Sequence, residues 1–174
     1  MNFFRQLFKY RYFLFNTVKY ELKLRYKNTK LGAAWVILSP LLYFIILGFV
    51  FSFAVKGGLE NYKLFFISGM VPWMMINNAI LILVPSLENN GYLMKKIAIP
   101  KYIFPVASNI ARMVDNLIYL VILLILFVVS GGVFHVYQLW VIPLMGMIFL
   151  TTLGIGFMLS IINVFFRDTV HMIN

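Results

Sequence analysis

Apolar residues fall in four long runs separated by short polar breaks, at residues 31–55, 64–84, about 106–130 and 139–163. The first run, LGAAWVILSPLLYFIILGFVFSFAV, is 25 residues long and carries no charge. As a helix rising about 1.5 Å per residue it exceeds a hydrocarbon core of about 30 Å, so it must tilt or bend. Pro40 at mid-run marks the expected bend, since its ring removes a backbone donor. The second run, LFFISGMVPWMMINNAILILV, is made irregular by Gly69 and Pro72. It sets Asn77 and Asn78 near its middle, where amides are expected to face protein or water rather than lipid. Packing is the preferred role for that amide pair over a substrate contact. In the fourth run Thr152, Gly156 and Ser160 recur every four residues. Such a stripe lets another helix approach closely, within one protomer or between two.

The third run is harder to place. Its uninterrupted apolar part, residues 117–129, is 13 residues long and too short to cross alone. One reading carries Arg112 and Asp115 into the inner membrane zone. The other runs outward through Gly131 and Gly132 to about Tyr137. The first is preferred: an arginine can reach the headgroups with its long stem, and Asp115 follows three residues later on the same helical face.

The breaks carry the charge. Residues 1–30 hold eight cations among Phe3, Phe4, Leu7, Phe8, Leu14, Phe15, Val18 and Leu22, which follow helical spacing. This composition predicts an amphipathic helix lying in the membrane interface, with its aromatic side toward lipid. Between the second and third runs lies an elbow, residues 85–105. It contains Asn89-Asn90-Gly91, the pair Lys95-Lys96, Pro100-Lys101 and Phe104-Pro105. Each proline pushes its preceding residue away from helical geometry, so two short pieces with a bend are expected. If residues 1–30, the elbow, Arg112 and Arg167 lie inside, they hold thirteen cations, against Lys56 and Lys63 outside. Positive-inside bias then puts both ends of the chain in the cytoplasm, with four spans between. The expected fold class is an all-α polytopic membrane protein: one N-terminal interfacial helix and four transmembrane helices, forming a single domain over residues 1–174.

Composition agrees. The 174 residues are 63% hydrophobic and 11% charged, far from the roughly 25% charge of a soluble domain. The formal net charge of +10 is accounted for by topology and anionic headgroups, so nucleic acid is not an expected partner. With no cysteine, disulfides, thiolate metal sites and thiol nucleophiles are excluded. No G-x-x-x-x-G-K-[ST] sequence occurs, so the chain has no P-loop of its own. The two histidines, His135 and His171, are placed on opposite sides of the membrane and cannot share a metal. Of Ser-His-Asp sets within one leaflet only Asp168 with His171 can be drawn, on a short segment with no pocketed nucleophile, so catalysis is not expected. Transport, anchoring or scaffolding remains.

Three blocks in order carry a family resemblance: LKLRYKNTKLGAAWVILSPLL (residues 22–42), NNGYLMKKIAIPKYIFPVASNIARMVD (89–115) and INVFFRDTVHMIN (162–174). They resemble the permease subunits of ABC-2-type exporters of cell-surface polysaccharides (O-antigen, capsule and teichoic acid). The first block carries Arg25-Tyr26-Lys27, Leu31-Gly32, Trp35 and Pro40; the third carries Asn163, Phe165, Phe166, Arg167 and Asp168. The resemblance implies a bacterial cytoplasmic-membrane subunit that pairs with a second copy and with separate ABC ATPase subunits. ATP and magnesium would be bound by those partners, and no cofactor by this chain. The elbow corresponds to the family's coupling helix, which makes Asn89, Lys95, Lys96, Pro100, Lys101 and Pro105 the expected ATPase contacts. The N-terminal helix would also touch the ATPase.

The implied cargo is a lipid-linked polymer. Arg25, Lys27, Lys30 and Arg112 are the candidate contacts for its pyrophosphate at the inner face. Aromatic residues make up 18% of the chain, and Trp35, Tyr43, Phe44, Trp73 and Tyr119 are candidate stacking faces along a glycan path. For each ring, packing or lipid contact is the competing reading. Another cargo (drug, lipid or peptide) and a non-transporting anchor or remnant are the alternatives. Family permeases have six spans, so the chain is expected to be cut short after its fourth.

Overall fold

The computed structural model describes residues 3–26, 34–54, 62–129, 131–133 and 135–173. They form helices α1 (Phe3–Lys9), α2 (Arg11–Tyr26), α3 (Ala34–Ala54), α4 (Tyr62–Leu83), α5 (Ser86–Asn89), α6 (Gly91–Lys96), α7 (Ile103–Val129), α8 (Val141–Phe165) and α9 (Thr169–Ile173). A short 3₁₀ turn, Val136–Trp140, leads into α8. The four long apolar helices are α3, α4, α7 and α8. Stretches of the last three, Phe65–Leu83, Ile103–Val129 and, with the 3₁₀ turn, Val136–Phe165, are each long and apolar enough to cross a membrane. α3 has 21 residues and runs through Pro40 without a break, as α4 runs through Pro72.

α7 takes in the whole uninterrupted apolar part of the third run. It is continuous from Ile103 to Val129 and takes in Arg112 and Asp115, which form a 3.1 Å ion pair one turn apart. Beyond it, Gly131 adopts φ +80°. Its N–H bonds the Val128 carbonyl, and Gly132 bonds that of Phe127, each at 3.0 Å. That paired closure ends a helix and calls for glycine at the left-handed position. The outward extension to Tyr137 as one helix is thereby excluded.

α4, α7 and α8 pack together as the centre, and α3 lies against α7 and α4. One half of the bundle is dry: Phe44, Ile67, Val71, Met75, Tyr119 and Ile122 form its core. The other half is polar inside. α7 buries Ser108, Asn109, Asp115 and Asn116 while exposing Val114, Leu117, Val121, Ile125 and Val128. Such an inverted face suits a helix whose outer surroundings are lipid, because amides are cheaper among protein groups than among acyl chains. Asn109 donates to the Phe149 carbonyl at 3.1 Å and accepts from the Thr152 hydroxyl at 3.1 Å, tying α7 to α8. Of the amide pair in α4, Asn78 donates to the Tyr119 hydroxyl at 3.3 Å, a packing role. Asn77 points outward.

The small-residue stripe works inside the protomer. Thr152, Gly156 and Ser160 are all buried, and a Cβ on Gly156 would stand 2.4 Å from Leu83 Cδ2. That resolves the two options left by sequence alone.

The N-terminal segment differs from expectation in the face it buries. α1 and α2 meet at Tyr10, across which backbone hydrogen bonds to Gln6 and from Leu14 continue at 3.0 and 2.9 Å. Leu14, Val18 and Leu22 are not turned to lipid; they pack on Ala107, Ile110 and Ala111 of α7. Phe8, Tyr12 and Phe15 are the exposed residues. Aliphatic side chains at four-residue spacing meet the alanines because small α7 residues let α2 come close.

Candidate functional site

The elbow is assembled from its own turn chemistry. After Pro85, the buried Ser86 donates to the Leu83 carbonyl at 2.5 Å, and Asn90 donates back to the Ser86 carbonyl at 2.8 Å. These bonds close α5 against the end of α4. α6 then carries Lys95 and Lys96 in its last turn, where cations complement the carbonyl end of a helix. Lys96 lies 4.3 Å from the Tyr92 ring centre, which holds its ammonium near α6. Ile97, at the extended C-cap, and residues 98–100 make the bend before α7.

Of the six expected contact residues, Asn89, Lys95, Lys96 and Lys101 are exposed at this elbow, and Pro100 is half-buried. Pro105 is not part of that surface. It sits fully buried in the first turn of α7, a position where the missing N–H of proline costs nothing. The bend therefore falls at residues 97–102, and α7 begins before Pro105 rather than after it.

Two ties fix the elbow to the rest of the molecule. The first is Glu88 of α5. Its Oε2 accepts from the buried Asn163 amide near the end of α8 at 3.1 Å, and its Oε1 pairs with Arg167 Nε at 3.1 Å. One carboxylate thus joins the elbow to α8 and to the turn after it. Lys95, Lys101, Arg167 and Glu88 line a groove of about 450 Å³ floored by Leu87, Met94 and Val164. The second tie runs through α2. Ser108 of α7 donates to Glu21 at 2.7 Å, Tyr102 bonds Gln6, and Phe13 meets Phe104 edge-on at 5.8 Å between ring centres. Between α2 and α5–α6 remains a cavity of about 790 Å³ lined by Asn16, Tyr20, Glu21, Asn89 and Asn90 among others.

The remaining candidates scatter. Arg112 is paired with Asp115 at 3.1 Å, with side chains 14% and 5% exposed. Lys27, Lys30 and the side chain of Arg25 lie outside the described residues. Among the rings, Phe44 and Tyr119 share the dry core and offer no free face. Trp35, Tyr43 and Trp73 are exposed. Among the described residues no cluster of three His, Cys, Asp or Glu side chains is placed to hold a metal. His135 and His171 lie at opposite ends of α8.

The Glu88 tie is what the sequence alone did not disclose. Glu88 was the one acid in the elbow, and Asn163 the one amide in the fourth apolar run; their pairing needed the fold.

Four long apolar helices, a polar interior at one end and an exposed cationic elbow at that same end define a multi-pass membrane protein. Residues 13–174 match the model of the ABC-2 type transporter family, and the chain belongs to it. It is similar to the O-antigen export system permease protein RfbA of Myxococcus xanthus, 29% identical over 172 residues, 98% of this chain and 65% of that protein. It is also similar to two Klebsiella pneumoniae proteins of that description, 29% and 30% identical over 151 residues, 85% of this chain and 58% of each. The chain therefore spans about three fifths of the length of these curated relatives.

Proposed function

We propose that this chain is the transmembrane permease subunit of an ATP-driven ABC exporter that moves a lipid-linked polysaccharide or teichoic-acid-like polymer across the bacterial cytoplasmic membrane. It works as a pair of copies with separate ATPase subunits, which bind ATP and magnesium. The elbow and both ends of the chain face the cytoplasm, where the positive-inside bias puts them. The single observation that carries the reading is the cationic elbow bound to the bundle through Glu88. A push on α6 is delivered by that carboxylate to α8 rather than lost in a free loop. The cargo class rests on the similarity to O-antigen export permeases.

Replacing Lys95, Lys96 and Lys101 together by glutamate tests the coupling surface. All three are exposed and their charges make no ion pair with an acid among the described residues, so the fold tolerates the change. Co-purification with the ATPase and surface display of the glycan are expected to fall at least about tenfold, a loss of about 1.4 kcal/mol of association. Unchanged association would reject the coupling role. Orientation has its own check: an impermeant amine reagent applied to intact cells is expected to leave Lys95 unmodified.

A further inference from the structure

The groove between α6 and the end of α8 has a depth in the membrane as well as a charge. The membrane-crossing stretches of α7 and α8 end at Ile103 and Phe165. Lys101 stands two residues before the first and Arg167 two after the second, and both line the groove. Its walls therefore lie where hydrocarbon gives way to headgroups. Val164 lines it too, belongs to the crossing part of α8 and is 52% exposed, so the groove is open toward the bilayer on an apolar side. Glu88 and Arg167 balance each other in their 3.1 Å pair. That leaves Lys95 and Lys101 as a surplus of two positive charges beside Leu87 and Met94. The volume of about 450 Å³ equals about fifteen waters at about 30 Å³ each, far more than a bare anion fills.

We infer that this groove seats an anionic phospholipid of the adjoining leaflet, its phosphate between Lys95 and Lys101 and its glycerol and first acyl carbons along Met94 and Val164. Charge selects it over a zwitterionic lipid, whose own cation would be brought up to two ammonium groups. The apolar side selects it over soluble phosphate. An acidic loop arriving from the aqueous side would meet the lysines first and leave Val164 to the acyl chains. The lipid anchors the elbow to the leaflet without taking it from the ATPase. A lysine ammonium has three donors, so each can hold a phosphate on the groove side and an acid on the other. Lys96, drawn toward Tyr92, stays outside the groove. The inference needs the membrane-crossing helices and neither the cargo nor the sidedness of the proposed function.

The full chain, alone and with its partner ATPase, is placed in phosphatidylcholine nanodiscs containing a minor share of photoreactive phosphatidylglycerol, its diazirine near the start of one acyl chain. Adducts are mapped by mass spectrometry of peptides. They are expected around Met94 and Val164, and at least about tenfold fewer with the matching photoreactive phosphatidylcholine. Lys95→Gln with Lys101→Gln should cut them several-fold. Lys19→Gln with Lys23→Gln, which removes the same charge from exposed positions on α2, should not. Equal labelling by the two lipids, or in the two double variants, would overturn the site. Loss of the adducts to millimolar glycerol phosphate would do the same, since the groove would then be a plain anion site. Adducts that vanish when the ATPase binds would assign the groove to an acidic segment of that partner, and the lipid reading would fall. If deleting the chain leaves surface glycan unchanged while the adducts persist, only the proposed export fails.

Discussion

Gly156→Leu is expected to split α4 from α8 and to leave the protein unable to stay monodisperse once extracted. The reason is local. At Gly156 even a methyl carbon would lie 2.4 Å from Leu83 Cδ2 and 2.7 Å from Leu83 Cβ. The second distance matters more, because a Cβ cannot swing away without its helix. Gly156→Ala sets two effects against each other: alanine gains roughly 1 kcal/mol of helix propensity, while overpacking costs about 1–3 kcal/mol. The alanine variant should therefore lose little or at most about 2 kcal/mol. Leucine adds three further carbons to the same gap, and its loss is decided. The neighbouring ties, Thr152 to Asn109 and Asn163 to Glu88, lie on the same side of α8 and would open with it. Thermal aggregation in mild detergent reads the effect. Gly156→Leu should aggregate several degrees lower, and Leu83→Ala introduced beside Gly156→Ala should recover the loss seen in the single change. Absence of such coupling would show that the two helices do not meet there.

The spans were legible because their signal is one-dimensional. A helix in lipid must satisfy its own backbone and expose apolar side chains, so an uninterrupted apolar run is nearly the whole answer. α4 and α8 therefore begin and end within two residues of the expected bounds, and the described part of α3 falls inside its own. What could not be read was which side of each helix faces protein. In water, apolar periodicity marks the inner face. In α7 that rule reverses, with Asn109, Asp115 and Asn116 inside and Val121, Ile125 and Val128 outside. Phe44 and Tyr119, candidate stacking faces with packing as the competing reading, are packed in the core. α2 went the other way: its Leu14, Val18 and Leu22 looked like a lipid face and are a protein contact, because Ala107 and Ala111 leave room for it.

The candidate site was legible as a place and not as a set of contacts. Charge and proline punctuation located the elbow, since neither belongs inside a span. Lys95, Lys96 and Lys101 are exposed there as expected. Pro105 was assigned to the bend because a proline inside a run usually ends a helix; one in the first turn starts it. For Arg112 a ligand contact and a pair with Asp115 three residues on were both in view, and the fold forms the pair. Long-range polar pairs such as Glu88 with Asn163 carry no periodicity, so nothing along the chain announces them.

Glu88→Ala is expected to uncouple the elbow from α8, and the size of the effect should depend on which of its two partners is stranded. Asn163 is fully buried, and it already has one amide oxygen without a partner. Removing the carboxylate leaves its nitrogen without one as well, at about 1–3 kcal/mol for a buried donor. Arg167 is 82% exposed and returns to water, so its half of the tie is worth about 0–1 kcal/mol. Glu88→Gln keeps an acceptor for Asn163 and should be mild in stability, and Arg167→Ala milder still. The functional ranking should follow the same order. Under the proposed function, Glu88→Ala should leave ATPase docking on Lys95, Lys96 and Lys101, which the change does not touch, and ATP hydrolysis in place. Force on α6 then meets α8 without the carboxylate between them. The ratio of glycan exported to ATP hydrolysed, measured in proteoliposomes or in cells with matched protein levels, should drop several-fold for Glu88→Ala and stay near wild type for Arg167→Ala. If Arg167→Ala were the more damaging change, the exposed ion pair and not the buried amide would be the working half. If neither change moved the ratio while both proteins remained folded, α8 would not be driven through Glu88, and the α2 contacts at Glu21–Ser108 and Phe13–Phe104 would be left as the route from elbow to bundle.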